Sequence, residues 1–559
     1  ASYRGSGCRK VSQKRMTGTV RTGGYKALMM PRCALAGIAL VVGARVARSQ
    51  ATPRVVPGAR VYADIDRLAS VGLIDIAGFG ARPFSRREIV RLLTEARSNL
   101  SRNDRARSWA EDVIAADLAR YELHDSRPFD AVGAEVAYLD SPYRRIPADS
   151  NGGIDATINP LASYRGGRPI ANGATSTLET MHSASLGSRL AVSFNPRFTA
   201  AGERGGASNQ NLRVQSGGAN LLFGNLAIDL GREYAVFSQS PTGGLLLSEN
   251  APALDMIRLS TDRPAGLPWL FRYLGPLQAT MLVADLGAAD QIHAHSKLVA
   301  YRVEAHPHRF FEFGVEVIDE MGGNGAPPAS FADRAADAFP IIDVVFRPNS
   351  DFQFSNKLAG VDFNLRAPSL AGLDVYAEGV VDDFDTRRFH STIFQDGGGI
   401  AGISLTCIIQ CGRFGVRAEY HQTGIRFYTH TDFSSGVQDN GVILGDPLGP
   451  RGLGGYLTID GEASRFGTFA LTGAYEVRSG NRYASTVADA HGGGFRFVQI
   501  EHHPGEHRAR AMATWIPTSR NARVTLQASL GVERVTNFDF VEGRGRTNAL
   551  AQLGYVWRP

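Results

Sequence analysis

The stretch Arg413-Phe414-Gly415-Val416-Arg417-Ala418-Glu419-Tyr420 alternates between two kinds of side chain. Aromatic and aliphatic residues occupy every second position, and the positions between them hold glycine or a charged residue. Successive side chains of a β-strand point to opposite faces of the sheet. The sequence therefore predicts a strand here, with one apolar face and one charged face.

The same period of two continues from about Phe129 to the C-terminus, over about 430 residues. It recurs in segments 311–317, 373–378, 469–478, 523–533 and 548–557. A soluble β-sandwich also alternates, but sandwiches rarely extend so far without splitting into domains. A transmembrane barrel with a polar lumen requires this persistence. The predicted fold class is mainly β: a large transmembrane antiparallel β-barrel of about 16–18 strands, each about 9–11 residues long.

Residues 52–125 are predicted to form a small α-helical periplasmic bundle that precedes a barrel over residues 129–559. The string Phe84-Ser85-Arg86-Arg87-Glu88-Ile89 has the pattern of a capping box. In that pattern the Ser85 hydroxyl accepts from the amide three residues later, and the Glu88 side chain returns to the Ser85 amide. Apolar residues follow at helical spacing, and a further helix is predicted from about Asp104 to Leu123.

Residues 1–51 have the character of a removable leader. They contain ten Arg or Lys and no acidic residue, and an apolar run over 34–44 precedes Ser49-Gln50-Ala51. Such a run is too short to span a bilayer, which takes about 20 residues. We predict an upstream extension plus a cleavable signal peptide, with a mature chain from Thr52. Without this leader 50 basic residues face 54 acidic ones, so no nucleic-acid partner is expected.

No motif in the sequence predicts an enzyme or a cofactor. His503-Pro504-Gly505-Glu506-His507 has the letters of a zinc-protease motif, but Pro-Gly between two alternating strands predicts a turn rather than the required helix. Gly397-Gly398-Gly399-Ile400-Ala401-Gly402 fits a dinucleotide fingerprint but continues as a strand. Cys407 and Cys411 are predicted to pair in a turn, with two free thiols as the alternative. No metal site is predicted from them.

Four segments together resemble the capsule-assembly (Wzi-type) family of outer-membrane proteins. They are Val61–Leu68 with Gly72-Leu73-Ile74 and Arg82–Arg86; Gly231–Tyr234 with Gly243–Pro252; Leu358–Phe363 with Val375–Glu378; and Tyr428-Thr429-His430 with Gly445–Gly449. The sequence departs from the family pattern at Phe237-Ser238, where Trp-Gly is expected, and at Asp446, where His is expected. The resemblance implies an 18-stranded barrel with a periplasmic bundle, which holds capsular polysaccharide or exopolysaccharide at the cell surface without catalysis.

The segment 422–454 is the predicted glycan-binding loop. It is rich in Gly, Asp, Ser and aromatic residues, and sugars are bound by flat aromatic faces beside planar polar groups. The predicted contacts are Tyr428, His430, Asp432, Asp446, Glu249 and Asn250. The alternative is the outer loop of a porin or lumenal transporter, which has a similar composition. Expected partners, besides the polysaccharide, are outer-membrane lipid, lipopolysaccharide and the barrel-insertion machinery, and the chain is expected to be a monomer.

Overall fold

The computed structural model describes most of the chain from residue 50 to residue 559. Its gaps are residues 122–128, 142–143, 147–155, 205, 242, 331–332, 335–337, 339–354, 383–395, 431, 464, 487–495 and 520–522. The predicted signal peptide lies outside the described residues, except for Gln50 and Ala51. Among the helices that are described, none has the length and hydropathy needed to cross a membrane.

Within the described residues, three α-helices precede the strands of the barrel. They are α1 (Arg60–Ser70), α2 (Arg86–Ser98) and α3 (Arg107–Tyr121), with a 3-10 turn at Leu100–Arg102. Their buried faces meet in one apolar core that includes Ile65, Leu92 and Trp109. The Ser85 hydroxyl accepts from the Glu88 amide at 3.1 Å, as the capping box predicts. The Glu88 carboxylate binds Arg91 instead of the Ser85 amide, at 2.6 and 2.8 Å.

Eighteen strands span the described barrel. They are β1 (Ala131–Asp140), β2 (Gly173–Leu186), β3 (Leu190–Glu203), β4 (Ser208–Phe223), β5 (Leu226–Glu233), β6 (Leu254–Thr261), β7 (Pro276–Asp285), β8 (Lys297–His308), β9 (Phe311–Met321), β10 (Ser355–Ala367), β11 (Leu373–Asp382), β12 (Gly397–Leu405), β13 (Phe414–Thr423), β14 (Gly452–Ala463), β15 (Gly467–Arg478), β16 (Glu506–Ile516), β17 (Val524–Thr536) and β18 (Arg546–Trp557).

Every neighbouring pair of these strands is antiparallel, and β1 closes the barrel by pairing with both β2 and β18. Val132 lies opposite Trp557 and Asp140 lies opposite Ala549, so the last strand of the chain completes the wall. Closure leaves no unpaired sheet edge in the lipid. The predicted mainly-β fold, with helices before a large barrel, is confirmed.

The two faces of each strand differ as the sequence pattern predicts. On β13 the Tyr420 side chain is 44% exposed, whereas Glu419 is 6% exposed. On β17 Leu530 is 64% exposed, whereas Glu533 is fully buried. The exposed apolar residues form the outer surface of the barrel, and the buried charged residues line its lumen. This is the arrangement that a lipid bilayer requires.

The two ends of the barrel have different connections. At one end, the helical end, short turns such as residues 187–189 join the strands and the helices pack against them. Arg67 on α1 donates to the Gly412 carbonyl at 3.3 Å. Gly412 has a φ of +83° and lies directly under the Trp109 ring, so only glycine fits there. The other end, the loop end, carries the long connections, which face the exterior in bacterial barrels.

Short elements complete the chain between the spanning strands. The short strands are Ala81–Arg82, Arg144–Ile146, Ala156–Ile158, Val236–Phe237, Ala265–Gly266, Gln438–Asp439, Val442–Ile443, Arg482–Thr486 and Arg496–Glu501, and the remaining 3-10 turns are Pro160–Ala162, Trp269–Leu274 and Phe538–Phe540. The predicted turn at Cys407 and Cys411 lies at the helical end between β12 and β13, and the structure joins the two cysteines there as a disulfide.

Candidate functional site: a filled lumen

Connections from the loop end fold into the lumen instead of extending from it, and two of them fill its centre. In the first, residues 234–253, the side chains at 245–247 are fully buried and Phe237 is 1% exposed. Its short strand Val236–Phe237 pairs with Ala81–Arg82, which lies between α1 and α2. The Ser238 amide also donates to the Gly80 carbonyl at 3.0 Å. Segments that enter from the two ends of the barrel therefore meet inside it.

The second connection, residues 424–451, packs on the first. Phe427, Tyr428 and Phe433 are all fully buried. The Tyr428 hydroxyl donates to the Leu245 carbonyl at 2.5 Å and accepts from the Asp446 amide at 2.8 Å. We call residues 234–253 and 424–451 together the plug. Backbone bonds also join its two halves, as from the Ser248 amide to the Leu444 carbonyl at 2.8 Å.

Carboxylates of the barrel wall hold the plug in place. Glu378 on β11 accepts from the Ser238 hydroxyl at 2.7 Å and from the Leu245 amide at 2.6 Å. Glu419 on β13 accepts from the Ser240 hydroxyl at 2.6 Å. Hydrogen bonds to ionised acceptors are stronger than neutral ones. Two serine hydroxyls and one backbone amide of the plug are thus satisfied by wall carboxylates that a water-filled pore would leave hydrated.

Three of the predicted glycan contacts lie inside this packing. Tyr428 and Asp446 belong to the core of the plug, and Asp446 accepts from the His421 imidazole at 2.6 Å and from the Leu448 amide at 2.8 Å. Burial raises the pKa of Tyr428 well above its ordinary value, so the hydroxyl stays protonated and donates. His430 is 7% exposed, and its Nδ1 accepts from the Asp432 amide at 3.1 Å.

The other three predicted contacts differ from one another in exposure. Glu249 is half-buried, lies 3.4 Å from the Arg82 guanidinium and accepts from the Gly58 amide at 3.1 Å, and burial raises the pKa of its carboxyl. Asn250 is half-buried and donates to the Ile443 carbonyl at 2.8 Å. Asp432 is exposed. Glycan contact by these six residues stays a prediction, and Asp432 alone among them has an exposed side chain.

Sequence reasoning missed a cluster of arginines at the lumen side of β1–β4, which we call the cationic wall. Arg197 lies on β3 and Arg213 on β4, whereas Arg165 and Arg168 belong to the connection between β1 and β2. Glu135 and Glu179 are the carboxylates among them. Arg165 pairs with Glu135 at 2.6 Å and Arg168 with Glu179 at 3.1 Å. Arg197 is 1% exposed, and its Nε and Nη1 have no hydrogen-bond partner among the described residues.

The wall of β8–β11 has the opposite balance of charge, and we call it the acidic wall. Five buried carboxylates share two guanidinium groups there: Glu304, Glu316 and Asp362 around Arg302, and Glu312 and Asp374 around Arg366. The alternation of the sequence shows that charged residues face the lumen, but not which of them become neighbours across strands.

Comparison with known proteins places the chain in a family. The profile of the family "Capsule assembly protein Wzi" matches residues 155–550, which is most of the chain. The chain belongs to this family. It is an outer-membrane β-barrel, as its alternating faces predict. A search of curated protein sequences finds no match.

Solved structures match the chain at low sequence identity. An Escherichia coli protein, described as an outer-membrane protein involved in group 1 capsule assembly and as a carbohydrate-binding β-barrel, matches with a TM-score of 0.62 and 15% identity over 90% of this chain and 99% of its own. The Pseudomonas aeruginosa outer-membrane protein OprD matches with a TM-score of 0.40 and 9% identity over 77% of this chain and 95% of its own. P. aeruginosa OccK5 matches with a TM-score of 0.40 and 9% identity over 78% of this chain and 99% of its own.

Proposed function

We propose that this protein holds capsular polysaccharide or exopolysaccharide at the cell exterior, as a surface lectin without catalysis. The plug carries the proposal, because a lumen filled from both ends suits a surface anchor better than a diffusion pore. The family membership and the carbohydrate-binding description of the E. coli relative support the same function. The helices then lie on the periplasmic side. Outer-membrane lipid, lipopolysaccharide and the insertion machinery are further proposed partners of a monomeric chain.

The outer surface of the plug offers an exposed polar patch for a sugar. Loop 286–296 lies against the plug, where the His293 ring meets the Phe433 ring edge-on at 5.2 Å and His293 Nε2 lies 2.9 Å from the Asp432 carbonyl. Ile292 beside it is 55% exposed. We call Gln291, Ile292, His293 and Asp432 the rim patch. The exposed Asp432 carboxylate is the planar polar group that this patch offers to sugar hydroxyls. The Gln291 amide is held by the plug, because it donates to the Gln438 carbonyl at 2.6 Å and accepts from the Ser435 hydroxyl at 2.9 Å.

Binding at one such patch is expected to be weak. Each sugar hydrogen bond replaces bonds to water and contributes only about 1 kcal/mol net. A polymer, however, presents the same unit many times to many copies of the protein in one membrane. Parallel engagement then multiplies the strength of attachment without new contacts. We therefore expect poor affinity for a monosaccharide and firm retention of the polymer.

The test measures cell-associated polysaccharide in cells that depend on this protein. The double variant His293→Ala and Asp432→Ala is expected to release several times more polysaccharide into the medium than the parent. Glu542→Ala, an exposed change in another connection at the loop end, serves as the matched control and should change nothing. Heat-modifiable gel mobility checks that each variant is folded.

Two results would count against the proposal at different levels. If the folded double variant retains as much polysaccharide as the parent, the rim patch is not the attachment site. Retention that is also unchanged after deletion of the whole gene overturns the function itself. Deleting residues 427–450 is a less specific test, because it removes the buried Phe427, Tyr428 and Phe433 and so disturbs the plug.

A further inference from the structure

Three buried side chains with metal-binding atoms meet near the helical end of the acidic wall. Glu304 and His306 lie two residues apart on β8 and so share its lumenal face, and Glu312 lies on the neighbouring strand β9. Their exposed fractions are 0%, 3% and 1%. One ligand atom from each lies within 4.8 Å of the other two. Nothing in the proposed function uses these residues.

Each of the two carboxylates commits one oxygen to an arginine. Arg302 donates from Nη2 to Glu304 Oε2 at 3.1 Å, and Arg366 donates from Nη2 to Glu312 Oε1 at 2.6 Å. These bonds fix the carboxylate planes. The second oxygens, Glu304 Oε1 and Glu312 Oε2, both face the His306 ring.

The His306 ring lies between these two oxygens, and its two nitrogen atoms are at unequal distances from them. Nδ1 lies 3.0 Å from Glu312 Oε2, and Nε2 lies 3.4 Å from Glu304 Oε1. Neither contact has the alignment of a hydrogen bond, so Glu312 Oε2 also has no hydrogen-bond partner among the described residues. Neither Nε2 nor Oε1 has a hydrogen-bond partner within the part of the chain that the structure describes.

Unpaired acceptor atoms that face each other in a buried site repel, unless a proton or a metal ion lies between them. The 3.4 Å separation of Nε2 and Oε1 is long for a hydrogen bond. It matches the spacing of adjacent ligands around a tetrahedral ion, which is about 3.3–3.6 Å for metal–ligand bonds of about 2.0–2.2 Å. The surrounding charge agrees, because the five carboxylates of the acidic wall face only two guanidinium groups.

We propose that this cluster binds a Zn²⁺ ion through His306 Nε2 and Glu304 Oε1. Imidazole and carboxylate are ligands that zinc takes in proteins, and water completes the tetrahedron. Glu312 acts behind the imidazole, where its carboxylate faces Nδ1 and favours the tautomer with the proton on that nitrogen, as carboxylates commonly do for zinc-bound histidines.

The position of the site gives the ion a structural role. Gly80, in the segment between α1 and α2, lies directly against Glu304 and Arg302, with no room for a Cβ atom. An ion on Glu304 therefore stabilises the strand pair β8–β9 at the point where the helical end closes the lumen. Because binding favours the folded state, zinc should raise the temperature at which the barrel unfolds.

The test uses the full folded protein in detergent, stripped with EDTA and dialysed against a small excess of Zn²⁺. Elemental analysis is expected to find about one zinc per chain, and the heat-modifiable transition should move to higher temperature. His306→Gln and Glu304→Gln should lose the bound zinc and the shift. Glu312→Gln should weaken zinc affinity about 10- to 100-fold rather than abolish it.

The matched control is His308→Gln on the same strand, because His308 is exposed and lies away from the cluster. It should bind zinc as the parent does. The proposal is overturned if the parent retains no stoichiometric zinc. It is also overturned if folded His306→Gln or Glu304→Gln retains as much as the parent, which would place the ion at a surface pair such as His295–Asp285. If both of these variants fail to fold, the proposal is overturned when Glu312→Gln binds zinc with the same affinity as the parent.

Discussion

The cationic wall and the acidic wall face the same lumen but satisfy their charges differently. On the acidic wall, every guanidinium is surrounded by carboxylates, as Arg302 is by Glu304, Glu316 and Asp362. On the cationic wall, four arginines share two carboxylates, and two nitrogen atoms of the buried Arg197 have no hydrogen-bond partner among the described residues. The two walls therefore share the same alternation of exposed apolar residues, but the charges that face the lumen differ between them. The partners of a lumen charge therefore depend on which residues the strands and their connections bring together, not on the alternation itself.

The largest expected effect comes from removing the central charge of the acidic wall. Arg302→Met leaves three buried carboxylates without their cation, and breaking such a buried pair costs about 3–5 kcal/mol. The matching substitution on the cationic wall, Arg197→Met, removes a charge with few partners. It should change the free energy of unfolding by less than about 1 kcal/mol. Urea unfolding in detergent measures both, and equal losses would erase the distinction between the walls.

A smaller effect concerns a buried acid on α3, outside the barrel wall. Burial and the nearby Asp64 carboxylate raise the pKa of Asp117 to about 7, from 3.8. Because its folded pKa is raised, the protonated carboxyl contributes stability below about pH 4, and this contribution is lost as pH rises through about 7. Asp117→Asn should remove this pH dependence and stabilise the helices at pH 8 by about 1–3 kcal/mol.

Protease resistance of the helices, measured from pH 5 to pH 8, tests that expectation. Asp112→Asn is the control, since Asp112 is on the same helix with a 67% exposed side chain. If the parent and Asp117→Asn lose resistance in parallel over this range, Asp117 is not the titrating group. In that case the excess of buried carboxylates over cations would be limited to the acidic wall of the barrel.

The smallest expected effect is at the start of α2, which belongs to neither wall. Ser85→Ala removes the hydroxyl that accepts from the Glu88 amide, and loss of such an N-cap costs about 1 kcal/mol. Thr94→Ala on the exposed side of the same helix should cost much less. Urea unfolding followed by circular dichroism compares the two variants. Equal small losses would show that the cap contributes nothing beyond ordinary helix propensity.

The architecture could be predicted from the sequence because each strand carries its own signal. The segment around Tyr420 and Glu419 shows its two faces within eight residues, and the structure exposes the first and buries the second. The capping serine of α2 is an equally local feature. Glu88 differs, because Arg91 one turn later competes for its carboxylate. Local patterns predict local contacts well until a nearby charge offers a stronger partner.

The plug could not be predicted in this way. Tyr428 looks like an exposed loop residue in the sequence, since it interrupts the alternation, yet its hydroxyl binds the carbonyl of Leu245, 183 residues earlier. The proposed zinc ligands are hidden for the same reason. His306, Glu304 and Glu312 read as ordinary lumen positions of two strands, and only the register of β8 with β9 brings them together. The plug depends on contacts between residues far apart in the sequence, and the proposed zinc site depends on the register of one hairpin. The periodicity of the sequence encodes neither.

Single-channel recording in a planar bilayer tests the central claim most directly, because the filled lumen separates a surface anchor from a porin. The purified protein must first show strand-dominated circular dichroism and heat-modifiable mobility, so that an absence of current is not an absence of barrel. With a porin reconstituted in parallel as the positive control, the account predicts no steady openings at any holding potential that the bilayer survives. Steady openings of uniform size from the intact chain would contradict it and favour a porin or lumenal transporter.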